Sequence, residues 1–325
     1  HPVWAPSAGI FPDNKANQYL PAGLTMYPDI NRLLPGHFLD LNGWNPARHY
    51  PRSALVRAGT EDIPELVREM ADRLTIQLGL LANRNTPVYL PLTGGQDSRT
   101  ILACSRPWAK QFEYVTFDYT GMRSQPGDQF DLDVARRLAE RLGLRHRIIP
   151  VSRMLPPGTR NQYMRRTGNA GGAGKARDFF ATCRNHMDMS GAWLTGFAGE
   201  VGRAFFWRRG DDESGMDTAS LLERMGLPAA PRFQQAMDAW RSGLPDTSLP
   251  TLLDLAYLEH RVGSWAAVHL YGAAEFALNL TPFCHRTIID AMLRLPLEYS
   301  RRQALAGDII AAKWPEVLEI PFSQR

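Results

Sequence analysis

The sequence predicts an α/β fold built on a parallel, doubly wound sheet. Three observations lead to this class. Apolar, strand-like runs alternate with helical segments in the middle of the chain, two of these runs stop abruptly at glycine, and helical periodicity dominates after about residue 220. The predicted strands cover residues 87–92, 112–117, 146–151 and 193–195. We therefore expect a sheet core followed by a largely helical C-terminal region.

The helices between these strands follow from the spacing of apolar residues. From about Asp62, apolar side chains recur every three or four positions, at Ile63, Leu66, Val67, Met70, Leu74 and Leu78. A second helix follows the first strand near Thr100. A third covers 131–142 and ends at Gly143, a residue suited to a helix C-terminus. Residues 154–177 contain a cluster of glycines and are expected to form a loop.

Two regions are predicted along the chain. Residues 1–52 are rich in Pro, Gly, Asn and aromatic residues with short apolar runs, a pattern typical of an irregular, strand-bearing lead-in. Residues 53–325 are expected to form the main domain, with the sheet core at about 85–210 and the helical part at about 215–325. A chain of 325 residues is long enough to bury a sizeable core.

The composition favours a globular protein without a nucleic-acid partner and without a membrane span. Hydrophobic residues make up 44% of the chain and charged residues 22%. The formal net charge is +4, but the cationic residues are scattered among acids and form no basic stripe. No apolar run approaches the roughly 20 residues that a membrane span needs. The three cysteines lie far apart and form no paired motif, which indicates a reducing, cytoplasmic location.

The segment 93–98 (T-G-G-Q-D-S), between the first strand and a helix, carries the clearest chemical signal. Two glycines let backbone N–H groups turn toward an anion, and the helix N-terminus adds positive potential. The hydroxyls of Thr93 and Ser98 can donate hydrogen bonds to phosphate oxygens. Asp97 would repel phosphate, so its expected partner is a bridging Mg²⁺. The segment matches neither a Walker A loop nor a G-x-G-x-x-G turn, and it predicts a pyrophosphate-binding loop.

This loop resembles the S-G-G-x-D-S signature of the N-type ATP pyrophosphatases, and four further segments resemble the asparagine synthetase and β-lactam synthetase family. Residues 131–146 are similar to its helix ending in A-x-x-L-G-x-x-H. Residues 194–200 (L-T-G-F-A-G-E) resemble L-[ST]-G-x-G-[AS]-D, and residues 281–283 (T-P-F) resemble the V-P-F-L-D turn. Residues 33–37 (L-L-P-G-H) resemble the L-P-P-G-H near the end of the amidotransferase domain of larger members. The resemblance spans roughly residues 30 to 322.

The resemblance implies an adenine nucleotide α-hydrolase-like fold and a ligase reaction. In this reaction a substrate carboxylate attacks the α-phosphate of ATP, pyrophosphate leaves, and an amine or ammonia displaces AMP. ATP and Mg²⁺ are the expected cofactors, with Asp97 and, by the resemblance, Glu200 as the magnesium ligands. The expected partners are a small-molecule or peptide carboxylate and an amine or ammonia donor, with a separate partner protein or a homodimer left open. The expected nucleotide-binding residues are Leu92, Thr93, Gly94, Gly95, Gln96, Asp97, Ser98, Arg99, Phe117 and Gly196.

Several positions depart from the family's pattern. Members that use glutamine have an N-terminal cysteine nucleophile in a domain of their own, and this chain is not expected to hydrolyse glutamine. Phe197 stands where β-lactam synthetases have a tyrosine. Residues 278–280 (L-N-L) replace the family's Glu-x-Arg, and the family's late lysine is not found before Arg325.

Other residues are therefore candidates for catalysis. Lys313 is nearest in sequence order to the family's lysine, or it is a surface helix charge. Lys175 lies in the glycine-rich loop, where a substrate lid could sit, or it is a solvated lysine. Glu259 is a candidate general base, or it pairs with side chains on its own helix. Arg99 directly follows the loop and is expected to contact phosphate, with a solvent-facing side chain as the alternative.

Three functional hypotheses follow. The first is an ATP-dependent ligase that forms an amide in a biosynthetic pathway. The second is a non-catalytic or nucleotide-sensing relative that keeps the loop without the second half-reaction. The third is a sulfur-transfer member of the wider pyrophosphatase superfamily, which needs a reactive cysteine near the ATP site. Cys104 and Cys183 each have an arginine nearby in the sequence.

Overall fold

The structure, a computed structural model, describes residues 19–322 apart from 26, 28, 123–125, 156–157, 160–174, 213–214, 268–269, 271–275 and 277. The chain separates into two compact units. We call residues 1–57 with 204–267 the N-terminal unit, and residues 58–203 with 268–325 the sheet unit. The segment 204–267, which the sequence analysis joins to the main domain, thus groups with the predicted lead-in.

The strands and helices are numbered in chain order. The strands are β1 His37–Asp40, β2 Asn45–Arg48, β3 Val88–Pro91, β4 Glu113–Asp118, β5 His146–Pro150, β6 Ala192–Leu194 and β7 Leu278–Leu280. The α-helices are α1 Ile63–Ala82, α2 Gln96–Cys104, α3 Pro126–Leu142, α4 Lys175–His186, α5 Thr218–Arg224, α6 Pro231–Ser242, α7 Leu249–Ala256, α8 Arg286–Arg294, α9 Leu297–Arg301 and α10 Leu305–Lys313.

The sheet unit contains a five-stranded, all-parallel sheet with the strand order β5-β4-β3-β6-β7. The predicted α/β class is therefore confirmed, and the four predicted strands are present with ends shifted by at most one residue. The fifth strand, β7, lies in the region predicted as helical. It is only three residues long and carries an asparagine at its centre, so neither its length nor its alternation marks it as a strand.

Helices pack on both faces of the sheet. Alternate residues of a strand point to opposite faces, so residues of β4 with odd and even numbers contact different helices. The Tyr114 hydroxyl on β4 lies 2.7 Å from the Ser105 hydroxyl, which directly follows α2. Phe117, of opposite parity on β4, meets the Phe179 ring of α4 with the ring centroids 5.5 Å apart. This arrangement is the one expected for a doubly wound sheet. Helix α2 begins at Gln96, within the loop that follows β3.

The N-terminal unit combines the antiparallel pair β1–β2 with helices α5 to α7. Helix α7 continues directly into a π-helical segment, Tyr257–Ala266. Glu259 of this segment is 1% exposed and forms an ion pair with Arg48 of β2. The Trp240 indole of α6 donates to the same carboxylate at 2.7 Å. One buried carboxylate thus joins three elements of this unit.

Across the part of the chain that the structure describes, none of the helices combines the length and the apolar character needed to cross a membrane.

Candidate functional site

The strand order fixes where a ligand would bind. From β3 the chain moves to β4 and β5 on one side, and then returns to β6 and β7 on the other side of β3. The order therefore reverses between β3 and β6, and the segments that follow these two strands diverge. In open α/β sheets, ligands bind in the crevice outside the carboxyl ends of the strands at such a switch point. The loop 93–98 and the segment 195–199 lie at this crevice.

The loop 93–98 folds around its own hydroxyl groups. The Thr93 hydroxyl oxygen accepts a hydrogen bond from the Gly95 N–H at 3.1 Å and lies 2.8 Å from the Ser98 hydroxyl. The Ser98 hydroxyl lies 3.1 Å from the Gly95 carbonyl oxygen, to which it can donate. Gly95 is the N-cap of α2 and offers no capping side chain. The helix N-terminus thus faces the loop without a side-chain cap, as an anion site requires.

Asp131 is a neighbour of the loop that the sequence analysis does not identify. Its carboxylate accepts a hydrogen bond from the Gly94 N–H at 2.9 Å. A Cβ at position 94 would lie 2.9 Å from the Asp131 Oδ1 atom, so a larger residue would push the Asp131 carboxylate away from the loop. As the sequence stands, Asp131 looks like an acid in a helix N-terminal region, and nothing in its spacing reveals the contact across the loop.

Asp97 and Glu200, the two expected magnesium ligands, lie close together around one arginine. The Arg203 guanidinium Nη2 is 2.8 Å from the Asp97 Oδ2 atom and 3.5 Å from the Glu200 Oε1 atom. Its Nη1 donates to the Gln96 side-chain oxygen at 3.2 Å. Arg203 is a site residue that the sequence analysis missed. Its position three residues after Glu200, on the same helical turn, is the signal that could have identified it.

The arrangement of the two carboxylates fits a divalent cation. A guanidinium already bridges the Asp97 and Glu200 carboxylates, which shows that both reach one positive centre. The Glu200 Oε2 atom is buried and makes no hydrogen bond to the residues that the structure describes. Mg²⁺ prefers such oxygen ligands and completes its shell with water and phosphate. No cluster of three or more His, Cys, Asp or Glu ligands occurs among the described residues, so phosphate oxygens would have to contribute.

Two glycines after β6 shape the surroundings of Asp97. A Cβ at Gly196 would lie 2.8 Å from the Asp97 Cβ atom, and one at Gly199 would overlap the Asp97 Oδ1 atom. Ala198 between them adopts a positive φ of 73° and is fully buried. The turn 196–199 therefore packs its backbone directly onto the loop. Gly196 therefore lies next to Asp97 of the loop 93–98.

The predicted adenosine-pocket residues occupy different surroundings. Leu92 is fully buried, its N–H bonds the Val115 carbonyl oxygen and its own carbonyl oxygen accepts from Thr116. Leu92 is thus a core residue, and its expected place in the pocket lining does not fit this burial. Phe117 is only partly buried and stacks on Trp193, with the ring centroids 5.4 Å apart. Phe117 therefore belongs to an aromatic cluster of the core near the carboxyl end of β4.

Arg99 does not fit the expected phosphate contact. Its side chain is fully buried, and its guanidinium donates to the carbonyl oxygens of Val317, Ile320 and Pro321 near the C-terminus. The Phe322 ring lies 4.3 Å from the guanidinium carbon. Burial lowers the pKa of Arg99 to about 10. The guanidinium therefore holds the C-terminal segment against α2.

The catalytic candidates do not gather at the loop. Lys313 forms an ion pair with Asp72 of α1 at 2.6 Å. Glu259 belongs to the N-terminal unit, where Arg48 and Trp240 hold its carboxylate. Its partners lie on other elements, so the expected pairing within its own helix is wrong. Lys175 is the first residue of α4, and its side chain lies outside the described residues.

The comparisons with known proteins add no family assignment. No protein-family model matches this sequence, and no curated protein matches it significantly.

Proposed function

We propose that the sheet unit binds ATP with Mg²⁺ at the crevice between β3 and β6 and transfers adenylate to a substrate carboxylate. The observation that carries this proposal is the meeting of Asp97 and Glu200 at one cationic centre beside the uncapped N-terminus of α2. Phosphates need donors and a positive potential, and a leaving pyrophosphate needs a metal ion. Both requirements converge on this crevice, and the resemblance to the asparagine synthetase and β-lactam synthetase family points to the same chemistry.

Each part of the crevice has a role in this proposal. The backbone N–H groups of the first turn of α2 bind phosphate oxygens, as do the hydroxyls of Thr93 and Ser98. Asp97 and Glu200 hold Mg²⁺, which supplies charge neutralisation for the pyrophosphate. The glycines at 196 and 199 keep the Asp97 carboxylate in position because no side chain there displaces it. The nucleotide base then lies toward Phe117, whose ring is only partly buried, in an adenine nucleotide α-hydrolase-like fold.

The reaction that we propose has two halves. A carboxylate oxygen of the substrate bonds to the α-phosphorus of ATP, the bond to the bridging oxygen breaks, and pyrophosphate leaves with the electron pair. An amine or ammonia then adds to the acyl carbon and loses a proton, and AMP departs, which leaves an amide. The groups of the crevice would serve the first half, because its donors bind phosphate and its carboxylates bind the metal ion.

A nucleotide-sensing protein is the second candidate function, and one observation favours it. Both catalytic candidates whose side chains the structure describes are held in ion pairs: Lys313 with Asp72, and Glu259 with Arg48. A protein that binds ATP without forming an amide would not need a free cation or base for the second half-reaction. ATP binding without pyrophosphate exchange is the behaviour expected of this candidate.

The sulfur-transfer hypothesis has less physical support. Burial raises the pKa of the Cys104 thiol to about 12 and also raises that of Cys183, so neither forms a thiolate readily. Both side chains are fully buried. A nucleophilic cysteine requires the opposite: a lowered pKa and an accessible sulfur atom.

Exchange of labelled pyrophosphate into ATP tests the adenylation proposal. The protein is incubated with ATP, Mg²⁺, labelled pyrophosphate and pools of amino acids, peptides or other carboxylates. We expect carboxylate-dependent exchange by the wild-type protein and none by Asp97→Asn. Asp133→Asn is the matched control, because this exposed aspartate pairs with Arg136 on the surface of α3. Absence of exchange with every pool, despite ATP binding, would favour the nucleotide-sensing function.

A further inference from the structure

Arg203 lies where a metal ion would be needed. It is the last residue of the short 3₁₀ turn Gly199–Arg203 after β6. Its guanidinium contacts Gln96 and Asp97 of the loop and Glu200 of its own turn. The acceptors of Arg203 among the described residues thus belong to the proposed nucleotide site.

The electrostatics of this group explain why a cation is present there. The side chains of Asp97 and Glu200 are only 19% and 20% exposed, and that of Arg203 is 15% exposed. Two neighbouring carboxylates with so little solvent repel each other, and each loses hydration. Arg203 supplies one positive charge to the pair. Without it, another cation or a proton would have to compensate.

The same position cannot hold both cations. Mg²⁺ binds carboxylate oxygens at about 2.0–2.1 Å and requires a nearly octahedral shell. The guanidinium Nη2 is 2.8 Å from the Asp97 Oδ2 atom and therefore occupies the space of that shell. A guanidinium and a divalent ion at this distance would also repel each other. A metal ion that takes the place of the guanidinium between the two carboxylates therefore requires Arg203 to move.

The Arg203 side chain has an unused donor that suits a second position. Its Nε atom is buried and makes no hydrogen bond to any residue that the structure describes. A guanidinium turned away from the carboxylates could use its Nε and Nη groups together on a phosphate, in the bidentate geometry that arginine favours. The residue therefore has a contact to gain from the nucleotide when it loses the carboxylates.

We propose that Arg203 is the resident counter-cation of Asp97 and Glu200, that a divalent metal ion replaces it, and that the released guanidinium then binds the nucleotide phosphates. This inference rests on the proposed function for the identity of the nucleotide. It makes Arg203 a positioning residue for the two metal ligands in the nucleotide-free protein. Metal alone then binds weakly, because it must first displace a favourable ion pair, and metal together with ATP binds more strongly.

Binding of Mn²⁺ alone tests this replacement without nucleotide or catalysis. Titrations followed by electron paramagnetic resonance give the Mn²⁺ affinity of the wild-type protein, Arg203→Met and Arg203→Lys. Because removal of the competing charge exposes two carboxylates, we expect Arg203→Met to bind Mn²⁺ about tenfold more tightly than the wild type. Arg203→Lys keeps the charge with a shorter reach and should fall between them. Arg136→Met, a loss of charge on the surface of α3, should leave the affinity unchanged.

Two further results decide the outcome. Glu200→Gln added to Arg203→Met should remove the gain in Mn²⁺ affinity. Thermal unfolding keeps the test valid if Arg203→Met is unstable, because Mn²⁺ should then raise the melting temperature of this variant more than that of the wild type. Equal Mn²⁺ affinity and equal thermal shifts in the wild-type protein, Arg203→Met and Arg203→Lys would overturn the inference. A gain in Mn²⁺ affinity without any ATP binding would instead refute the proposed function and retain the replacement of Arg203 by metal.

Discussion

Gly199 lies so close to Asp97 that a Cβ at position 199 would overlap the Asp97 Oδ1 atom. These two residues come from the segments after β6 and β3, the two strands between which the strand order reverses. Gly196 approaches the same side chain from the end of β6. The position of the proposed metal ligand on the loop is therefore set by backbone packing from the neighbouring strand, in addition to its ion pair with Arg203.

Gly199→Ala should weaken the binding of ATP with Mg²⁺. The added methyl group must displace the Asp97 carboxylate, because the Asp97 Oδ1 atom lies where the new Cβ would be. We expect a loss of affinity of at least about tenfold, equivalent to 1.4 kcal/mol, measured by isothermal titration calorimetry. Gly307→Ala in α10 is the matched control, because a Cβ there meets no atom within 4 Å. Unchanged affinity in Gly199→Ala would show that Asp97 does not need its present position.

Arg99→Met should destabilise the sheet unit. The substitution leaves the carbonyl oxygens of Val317, Ile320 and Pro321 without their buried donor. The bonds to Val317 and Ile320 are buried, and each buried group without a partner costs about 1–3 kcal/mol. We therefore expect a loss of about 2 kcal/mol or more in the free energy of unfolding, measured by urea denaturation. Arg136→Met removes an exposed pair and should change stability by less than about 0.5 kcal/mol. A loss of ATP affinity with stability unchanged would instead restore the phosphate contact expected from the sequence.

Lys313→Met should affect stability slightly and leave nucleotide binding intact. Lys313 pairs with Asp72, whose side chain is 54% exposed, so solvent screens the interaction. A double-mutant cycle with Asp72→Asn should give a coupling of at most about 1 kcal/mol. Pyrophosphate exchange should continue in Lys313→Met. Loss of exchange, with the cycle showing no coupling, would identify this lysine as part of the catalytic site.

Acid should destabilise the N-terminal unit through His260. This side chain is fully buried, its Nδ1 accepts from the Ala22 N–H, and burial together with Arg32 and Arg48 lowers its pKa to about 3. Above pH 6.5 both the folded and the unfolded states hold neutral histidine. As pH falls from 6.5 toward 3, only the unfolded state binds the proton, so stability decreases by up to about 1.4 kcal/mol per pH unit.

Comparison with His260→Gln isolates this contribution. Urea denaturation followed by tryptophan fluorescence is suited to the measurement, because the Trp240 and His260 ring centroids are 4.6 Å apart. The wild-type protein should lose more stability than His260→Gln between pH 6.5 and 4. Parallel curves for the two proteins would mean that His260 becomes protonated in the folded state.

The sheet could be predicted from the sequence largely because its central strands are apolar and end at punctuating residues. Val88 to Leu90 are buried and followed by Thr93-Gly94-Gly95, so the strand end and the loop coincide in the pattern. Strand β7 could not be predicted in this way, since three half-buried residues carry no periodicity. Its place in the sheet depends on pairing with β6, which is a tertiary interaction.

The candidate site could be predicted from the sequence where its residues are neighbours in the chain. It could not be predicted where tertiary packing brings residues from distant segments to the loop. The proposal of a phosphate site at the loop 93–98 came from the loop's own residues, and the resemblance supplied Glu200. Arg203 and Asp131 contact the loop from distant segments. Asp131 has no local pattern that distinguishes it from an ordinary surface charge, and Arg203 is marked only by its position three residues after Glu200. Arg99 shows the opposite case: a charge next to the loop whose side chain turns into the core. An assignment based on closeness in the sequence therefore placed Arg99 at the site wrongly and left out Arg203.

Binding of ATP to the wild-type protein and to Asp97→Asn, by isothermal titration calorimetry with and without Mg²⁺, tests the central claim most directly. We expect the wild-type protein to bind one ATP per chain with an affinity that Mg²⁺ increases. Asp97→Asn should lose this dependence on Mg²⁺, because the remaining carboxylate of Glu200 cannot hold the ion alone. Absence of ATP binding by the folded wild-type protein, or equal Mg²⁺ dependence in both proteins, would contradict the assignment of the crevice as a nucleotide site.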